Sequence, residues 1–203
     1  MTDIKSLHDR IYSDTSTKEP KTFINIYEEN KDLIEGADYT ISNPDYQGIM
    51  RITADYALAL SHYGSSRKSI PYLNKAIQLY KNSPLTGLKE GTMFEALLLA
   101  RGIENYNQKK YSLASADFQY LFDNYPDNDR YKNWLIASNT IKTKKYLNFF
   151  WGLAIASFVC YLMAANDRAP SSMYFILATI AFVLVAVAFE VANWLRKSRI
   201  NKQ

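Results

Sequence analysis

The chain has 203 residues, a length that allows one ordinary domain and little more. Its formal net charge of +4 is unevenly distributed, because acidic residues outnumber basic ones between Asp3 and Asp55 while cations flank two apolar blocks after residue 145. A nucleic-acid-binding surface needs cations gathered on one face of a folded domain, so this distribution argues against a nucleic-acid partner. The single cysteine, Cys160, argues against an intramolecular disulfide and against a cysteine zinc cluster.

Helical periodicity of apolar residues runs through residues 1–145, and no stretch alternates long enough to indicate a strand. The pattern predicts an all-α soluble part, with an N-terminal helical segment over residues 1–40 and a helical domain over residues 41–145. Five helices are predicted over residues 21–36, 46–63, 69–82, 92–107 and 112–122. A loop is expected over 83–91, and residues 123–129 interrupt the helical pattern after the fifth helix. A sixth helix begins near Arg130 and continues into the apolar sequence that follows.

Two apolar blocks near the end of the sequence are long enough to cross a membrane. Residues 146–165 carry no charged side chain, and residues 173–194 carry only Glu190. At about 1.5 Å rise per residue, each block forms a helix about 30 Å long, which matches the thickness of a hydrocarbon core. Aromatic side chains open the first block and Trp194 closes the second, as expected at a water interface. We therefore predict a transmembrane helical hairpin over residues 146–195. The alternative, a buried hairpin of a soluble protein, would need a covering that the rest of the sequence does not supply.

The charges beside these blocks predict their orientation. Six cations flank the outer ends of the hairpin: Lys142, Lys144, Lys145, Arg196, Lys197 and Arg199. The connecting turn carries only Arg168, beside Asp167. By the positive-inside rule, the soluble part and both termini face the cytoplasm, with residues 196–203 as a basic cytoplasmic tail. The first residues lack the apolar core of a signal peptide, which agrees with this orientation.

Small residues recur within the hairpin, namely Gly152, Ala156 and Cys160 in the first helix and Ala181 and Ala188 in the second. Because small side chains let helix backbones approach closely in lipid, we predict that the two helices pack along these residues. Alanine is common in transmembrane helices, so a stripe without a packing role is the alternative. Glu190 is either a functional acid or, as its place one turn before Trp194 favours, an acid that reaches the interface or pairs with a cation.

The sequence lacks the residue patterns typical of catalysis. His8 and His62 are the only histidines, and neither has an obvious acid or nucleophile partner. There is no phosphate-binding glycine loop, no HExxH or GxSxG motif and no carboxylate cluster of the EF-hand type. The sequence therefore predicts no enzyme activity, no cofactor and no metal site.

Residues 95–126 carry a set of landmarks at characteristic spacings: Gly102, Tyr111, Ala114, Phe118 and Pro126. The glycine, the alanine, the aromatic residue and the proline follow one another at the spacings of a tetratricopeptide repeat, a helix–turn–helix unit of 34 residues. This part of the chain resembles that family. Three residues depart from the family pattern. Arg101 stands where the family has a large apolar residue, Leu121 where it has a small one, and Asn105 where it has an aromatic one.

A second unit fits residues 50–82 more loosely, with small residues at Ala57 and Ala76. An insertion around residues 84–91 separates the two units, and residues 130–145 resemble the capping helix that terminal repeats require. The resemblance implies tetratricopeptide-like (TPR-like) helical hairpin repeats followed by a transmembrane helical hairpin. The alternative is a generic helical bundle whose spacings match by accident.

Tetratricopeptide-like domains recognise other proteins, so the resemblance implies a partner-binding groove lined by the first helix of each unit. In the family's frame, the first unit presents Arg51, Ala54, Leu58 and His62, and the second presents Ala96, Leu99, Ile103, Tyr106 and Asn107. Equally open is the alternative that the segment 1–40 covers these residues and makes them part of the core.

Two functional hypotheses follow from these patterns. The first is a membrane-anchored adaptor or scaffold that binds an unidentified protein partner at the cytoplasmic face of a lipid bilayer. The second is a membrane effector or immunity protein whose transmembrane hairpin either oligomerises, which would make the protein a homo-oligomer, or blocks a target. An anchor should tolerate replacement by an unrelated hairpin, whereas an effector should not.

Overall fold

The computed structural model describes residues 3–13, 19–64, 66–83, 91–166 and 172–200. Within these residues every regular element is an α-helix, which confirms the predicted all-α class. The helices of the described residues are α1 (Ile4–Ser13), α2 (Pro20–Glu29), α3 (Lys31–Glu35), α4 (Tyr46–His62), α5 (Ser66–Asn82), α6 (Thr92–Asn107), α7 (Tyr111–Asn124), α8 (Asp129–Asn166) and α9 (Ser172–Ile200). The chain divides into two compact units, Met1–Asn124 and Tyr125–Gln203.

The N-terminal segment differs from the prediction in two ways. Helix α1 lies in the predicted helical segment 1–40 but before the first helix whose bounds were predicted, and it buries three apolar residues at helical spacing: Ile4, Leu7 and Ile11. The helix predicted over residues 21–36 is broken at Asn30 into α2 and α3. The side-chain amide of Asn30 donates a hydrogen bond to the carbonyl of Ile26 (2.8 Å), and asparagine competes in this way with the backbone hydrogen bonds of a helix.

Helices α4 to α7 begin and end close to the predicted positions. After α4, Gly64 has a φ of 72°, a left-handed conformation that glycine adopts without a steric penalty. Pro71 lies in the second turn of α5, where its ring removes one backbone donor without ending the helix. The loop predicted over residues 83–91 falls mostly outside the described residues.

A cluster of tyrosines lies at the centre of the first unit. The rings of Tyr27 and Tyr56 stack with their centroids 3.6 Å apart, and the ring of Tyr72 meets that of Tyr56 edge-on at 4.7 Å. The hydroxyl of Tyr56 donates to Glu28, and that of Tyr72 donates to Glu35 at 2.7 Å. The rings of these tyrosines therefore pack between α2, α4 and α5, while the hydroxyls of Tyr56 and Tyr72 form hydrogen bonds at the edge of the core.

Two helical hairpins follow one another in the first unit. Helix α4 packs against α5, helix α6 packs against α7, and α6 also contacts both α5 and α4. Close approach of α6 and α7 depends on Gly102, because a Cβ atom added there would lie 2.6 Å from Cε1 of Phe118. Ala114 and Phe118 are both fully buried on α7. Of the landmark residues, Gly102 on α6 and Phe118 on α7 are therefore in direct contact, and Ala114 is buried beside them on α7.

An ion pair also joins α6 to α7. Nη2 and Nε of Arg101 donate to the two carboxylate oxygens of Asp117 at 2.5 and 2.9 Å, and Nη1 donates to the side-chain oxygen of Asn74 on α5 at 3.0 Å. The side chain of Asp117 is only 6% exposed, so the bidentate geometry supplies the partners that a buried carboxylate needs. Arg101, which departs from the repeat pattern, therefore links three helices through polar contacts.

The second unit begins with one long helix. Helix α8 runs without a break from Asp129 to Asn166, as predicted for the helix that begins near Arg130. The predicted capping helix over 130–145 and the first apolar block are therefore parts of the same element. Both parts lie in the second compact unit, which begins at Tyr125.

Helices α8 and α9 pack side by side. Ala154 and Ala186 are buried, and the hydroxyl of Ser157 donates a hydrogen bond to the carbonyl of Phe175 on the neighbouring helix at 2.9 Å. Most other large apolar side chains of the pair are exposed. Both helices are long and apolar enough to cross a membrane.

The small residues predicted to pack within the hairpin lie elsewhere on these helices. All five are exposed: Gly152, Ala156, Cys160, Ala181 and Ala188. A Cβ atom added at Gly152 would meet nothing within 4 Å. The small residues at the contact between α8 and α9 are instead Ala154, Ser157 and Ala186, which the sequence spacing did not single out.

Candidate functional site

A cavity of about 310 Å³ lies between α1, α2 and α4. Its lining residues are Ile11, Tyr12, Pro20, Phe23, Arg51, Asp55, Leu58, Ala59 and His62. Arg51, Leu58 and His62 are the groove residues that the sequence predicts for the first unit, apart from Ala54. They lie seven and four residues apart on α4 and therefore share one face of that helix.

The polar end of this cavity is a three-residue cluster. The carboxylate of Asp55 accepts hydrogen bonds from the hydroxyl of Tyr12 at 2.5 Å and from Nε of Arg51 at 2.9 Å. The guanidinium carbon of Arg51 lies 5.8 Å from the centre of the Tyr12 ring, within the range of a cation–π contact. Burial raises the pKa of Tyr12, and the negative charge and hydrogen bond of Asp55 raise it further. Tyr12 is thus held in its protonated, donating form.

The floor of the cavity is apolar. Ile11, Phe23 and Ala59 are buried, and Ile11 and Phe23 also belong to the core cluster that joins α1, α2 and α4. Leu58 is half-buried, and His62 is exposed at the far end. An apolar floor with a few fixed polar groups at its edge is typical of a ligand-binding cavity.

The N-terminal segment settles part of the question whether the groove is open or covered. Helices α1 and α2 pack on α4, so the predicted groove face of the first unit has become one wall of a cavity. Tyr12 lies opposite this face, and Phe23 forms part of the floor. Sequence reasoning missed both, although the spacing of Ile4, Leu7 and Ile11 predicts that α1 is amphipathic and must pack against a neighbour.

The groove residues predicted for the second unit do not line this cavity. Ala96, Leu99, Ile103 and Tyr106 are half-buried on α6, and Asn107 is exposed. The ring of Tyr106 meets that of Tyr111 edge-on, with the centroids 5.3 Å apart. The structure therefore brings together three of the predicted residues and leaves the others on a separate helix.

Ala54 is fully buried, so the prediction that it faces an open groove is wrong. Ser61 lies two turns later on the same face of α4, and its hydroxyl donates to Oε1 of Glu104 on α6 at 2.8 Å. Ala54 therefore faces the contact between α4 and α6. Glu104 is itself 3% exposed, which makes this hydrogen bond an internal link between the two hairpins.

The described side chains form no group of three or more His, Cys, Asp or Glu residues placed to hold a metal ion. No family model, curated protein or solved structure matches the chain. The cavity between α1, α2 and α4 and the packing order of α4 to α7 are therefore the features on which a function can be proposed.

Proposed function

We propose that the protein is a membrane-anchored, tetratricopeptide-like adaptor or scaffold that binds a partner protein at the cytoplasmic face of a membrane. The observation that carries this proposal is the cavity between α1, α2 and α4, because it combines an apolar floor with the fixed cluster of Tyr12, Arg51 and Asp55. A partner would insert apolar side chains into this cavity and pair a polar group with the exposed part of Arg51, whose side chain is 48% exposed.

The order of packing supports the repeat assignment. Each hairpin of a tetratricopeptide-like array packs its two helices together, and the first helix of the next unit contacts both helices of the unit before it. Helices α4 to α7 follow this order, since α6 contacts α7, α5 and α4. The close contact of Gly102 with Phe118 also supports the assignment, because a small residue of the first helix and an aromatic residue of the second would meet in such a repeat.

The apolar helices α8 and α9 support the membrane anchor, and the flanking cations support its orientation. Lys142, Lys144 and Lys145 precede the apolar part of α8, and this excess of positive charge favours the cytoplasmic side. Arg168 and the turn that carries it lie outside the described residues.

A substitution at Leu58 tests the binding site. We expect Leu58→Glu to abolish co-purification of a partner from mild detergent extracts, because a carboxylate would stand at the apolar floor, while the melting temperature falls only slightly, since Leu58 is half-buried and the carboxylate can turn toward solvent. Leu113→Glu is the matched control, since Leu113 is 57% exposed on α7 and lies outside the cavity.

The face of α6 is tested by Ile103→Ala combined with Tyr106→Ala. Loss of the same partner with unchanged melting would extend the site to α6. A large fall in melting temperature in either variant, with the partner retained, would show that these residues serve the core and would contradict the binding proposal.

A second candidate function is a membrane effector or immunity protein whose hairpin oligomerises or blocks a target. The observation that favours it is the exposure of Gly152, Ala156 and Cys160 on α8, because these small residues are left available to another helix. Exchange of α8 residues 146–166 and α9 for an unrelated two-span hairpin separates the two functions. An adaptor keeps its partner after the exchange, whereas an effector loses its activity.

A further inference from the structure

A second cavity, of about 210 Å³, lies within the second unit between α8 and α9. Six residues line it: Lys142, Thr143, Tyr146, Phe189, Ala192 and Asn193. One wall is aromatic, because the rings of Tyr146 and Phe189 stack with their centroids 6.3 Å apart. The other wall carries polar side chains from both helices. The cavity therefore joins an apolar surface to hydrogen-bond donors.

Two donors at this cavity are uncommitted. No hydrogen bond or ion pair joins the ammonium of Lys142 or the amide of Asn193 to another residue in the described part of the chain. The hydroxyl of Thr143, in contrast, already donates to the carbonyl of Asn139 at 2.8 Å. No acidic side chain lines the cavity, and Glu190, one turn before Asn193, is exposed outside it. The cavity thus offers one positive charge and one amide donor without a carboxylate to neutralise them.

The position of the cavity along α8 indicates what these donors meet. Lys142, Lys144 and Lys145 are the last charged residues before the uncharged stretch that begins at Tyr146. In a helix that crosses a bilayer, this boundary lies at the level of the lipid headgroups, where tyrosine is also enriched. A water molecule needs only about 10–15 Å³ of such a cavity, so this one has room for a phosphodiester.

The geometry points to a binding site for an anionic phospholipid between α8 and α9. The ammonium of Lys142 and the amide of Asn193 bind the headgroup phosphate, and the adjoining acyl chain lies along Tyr146 and Phe189. Basic pockets between transmembrane helices on the cytoplasmic side recognise anionic headgroups by this combination of charge and apolar surface. The site rests on the membrane anchoring proposed above.

Lipid retention by the full-length protein tests the site. The protein is reconstituted into bilayers that contain phosphatidylcholine and phosphatidylglycerol in equal amounts, released into mild detergent and weighed by native mass spectrometry. We expect phosphatidylglycerol to be retained about fivefold more than phosphatidylcholine, the factor that one nearby lysine contributes. Excess inorganic phosphate should not displace it, because free phosphate lacks the acyl chain.

Three variants separate a defined site from general attraction to charge. Lys142→Gln should abolish the preference, and Ala192→Phe should abolish it by filling the cavity without a change of charge. Lys144→Gln is the matched control, since it removes the same charge on the same flank but does not line the cavity. Equal loss of preference in Lys142→Gln and Lys144→Gln, or retention in Ala192→Phe, would overturn the site.

Extraction of the protein from its native membrane with alkaline carbonate distinguishes the two levels of failure. A protein that stays in the membrane but shows no lipid preference overturns the lipid site alone. A protein that carbonate extracts overturns the membrane anchor, and the lipid site with it.

Discussion

Gly102 shows how one residue sets the distance between two helices. The ring of Phe118 lies so close that a Cβ atom at position 102 would be 2.6 Å from Cε1, and this ring is fully buried and cannot swing away into solvent. A side chain at this position must therefore push α6 and α7 apart or distort the ring. The glycine and the aromatic residue of the repeat pattern are two halves of one contact.

We expect Gly102→Ala to destabilise the first unit by about 1–3 kcal/mol, the usual cost of overpacking a buried contact. Urea denaturation of the full chain in mild detergent, followed by circular dichroism, measures the change. Gly152→Ala is the matched control, because it also lies in a helix but meets nothing within 4 Å, and alanine there should leave stability unchanged or raise it slightly. Equal stability of Gly102→Ala and the parent protein would contradict the packing described for α6 and α7.

The buried tyrosines make the stability of the first unit sensitive to alkaline pH. Burial raises the pKa of Tyr27 and Tyr56, and burial followed by the charge of Glu35 raises the pKa of Tyr39 to about 12. Unfolded tyrosine ionises near pH 10, so above that pH the unfolded state binds fewer protons than the folded state. The stability that these groups contribute is therefore complete below about pH 10 and is lost as the pH rises toward the folded pKa.

We expect the urea midpoint to fall as the pH is raised from about 10 to 12, with tyrosinate absorbance appearing together with unfolding. Tyr39→Phe should reduce the slope of this fall, because one ionisable group with a raised pKa is removed. Tyr63→Phe is the control, since the ring of Tyr63 is 55% exposed. Tyrosinate absorbance that develops fully before unfolding begins would refute this account.

At the scale of single elements, the sequence predicts helices well and their contact faces unevenly. In α4, apolar residues recur every three or four positions, so the pattern predicts the buried face, which includes Ile49, Ile52 and Tyr56. In α8 and α9 the apolar blocks are apolar on every side. Periodicity of apolar residues then carries no information about which side meets the neighbour, and the stripe through Gly152 was selected on the size and four-residue spacing of its residues.

The contact between α8 and α9 can be tested with two alanines of the same helix. We expect Ala186→Leu to weaken the hairpin, because Ala186 is fully buried and a larger side chain would separate the helices. Ala188→Leu should have no effect, since Ala188 is exposed.

Disulfide formation between cysteines introduced at Ser157 and Thr179, in a protein with Cys160→Ala, would report the distance between the helices in each variant. A stronger effect of Ala188→Leu would restore the contact predicted from sequence.

The candidate site was predictable only on its α4 side. Arg51, Leu58 and His62 were predicted from the resemblance to a tetratricopeptide repeat, which implies that these positions of the first helix share one face. Tyr12 and Phe23 reach the same cavity from helices some thirty or more residues earlier, and no local pattern encodes which face of α4 those helices cover. The packing of α1 and α2 on α4 is therefore known only from the structure.

At the scale of the whole molecule, the orientation in the membrane stays a prediction that labelling can check. In a protein with Cys160→Ala, we expect a cysteine at Ser171 to react with a membrane-impermeant reagent added to intact cells. A cysteine at Ser198 should react only after permeabilisation, because the positive flanks favour the cytoplasm. The reverse labelling pattern would place the first unit on the outer side of the membrane and contradict the proposed adaptor function.

Continuity of α8 from Asp129 to Asn166 has a consequence for insertions and deletions. Leu135 is buried near the start of α8, and Ala154 is buried further along the same helix, where α8 packs on α9. Because the helix is continuous, the number of residues between these two positions fixes the angle between their side chains. Removal of one residue between them turns one position by about 100° relative to the other, whereas removal of seven turns it by only about 20°. A single-residue deletion in this segment should therefore disturb the relative orientation of the two positions more than a deletion of seven residues, which instead shortens the helix by about 10 Å.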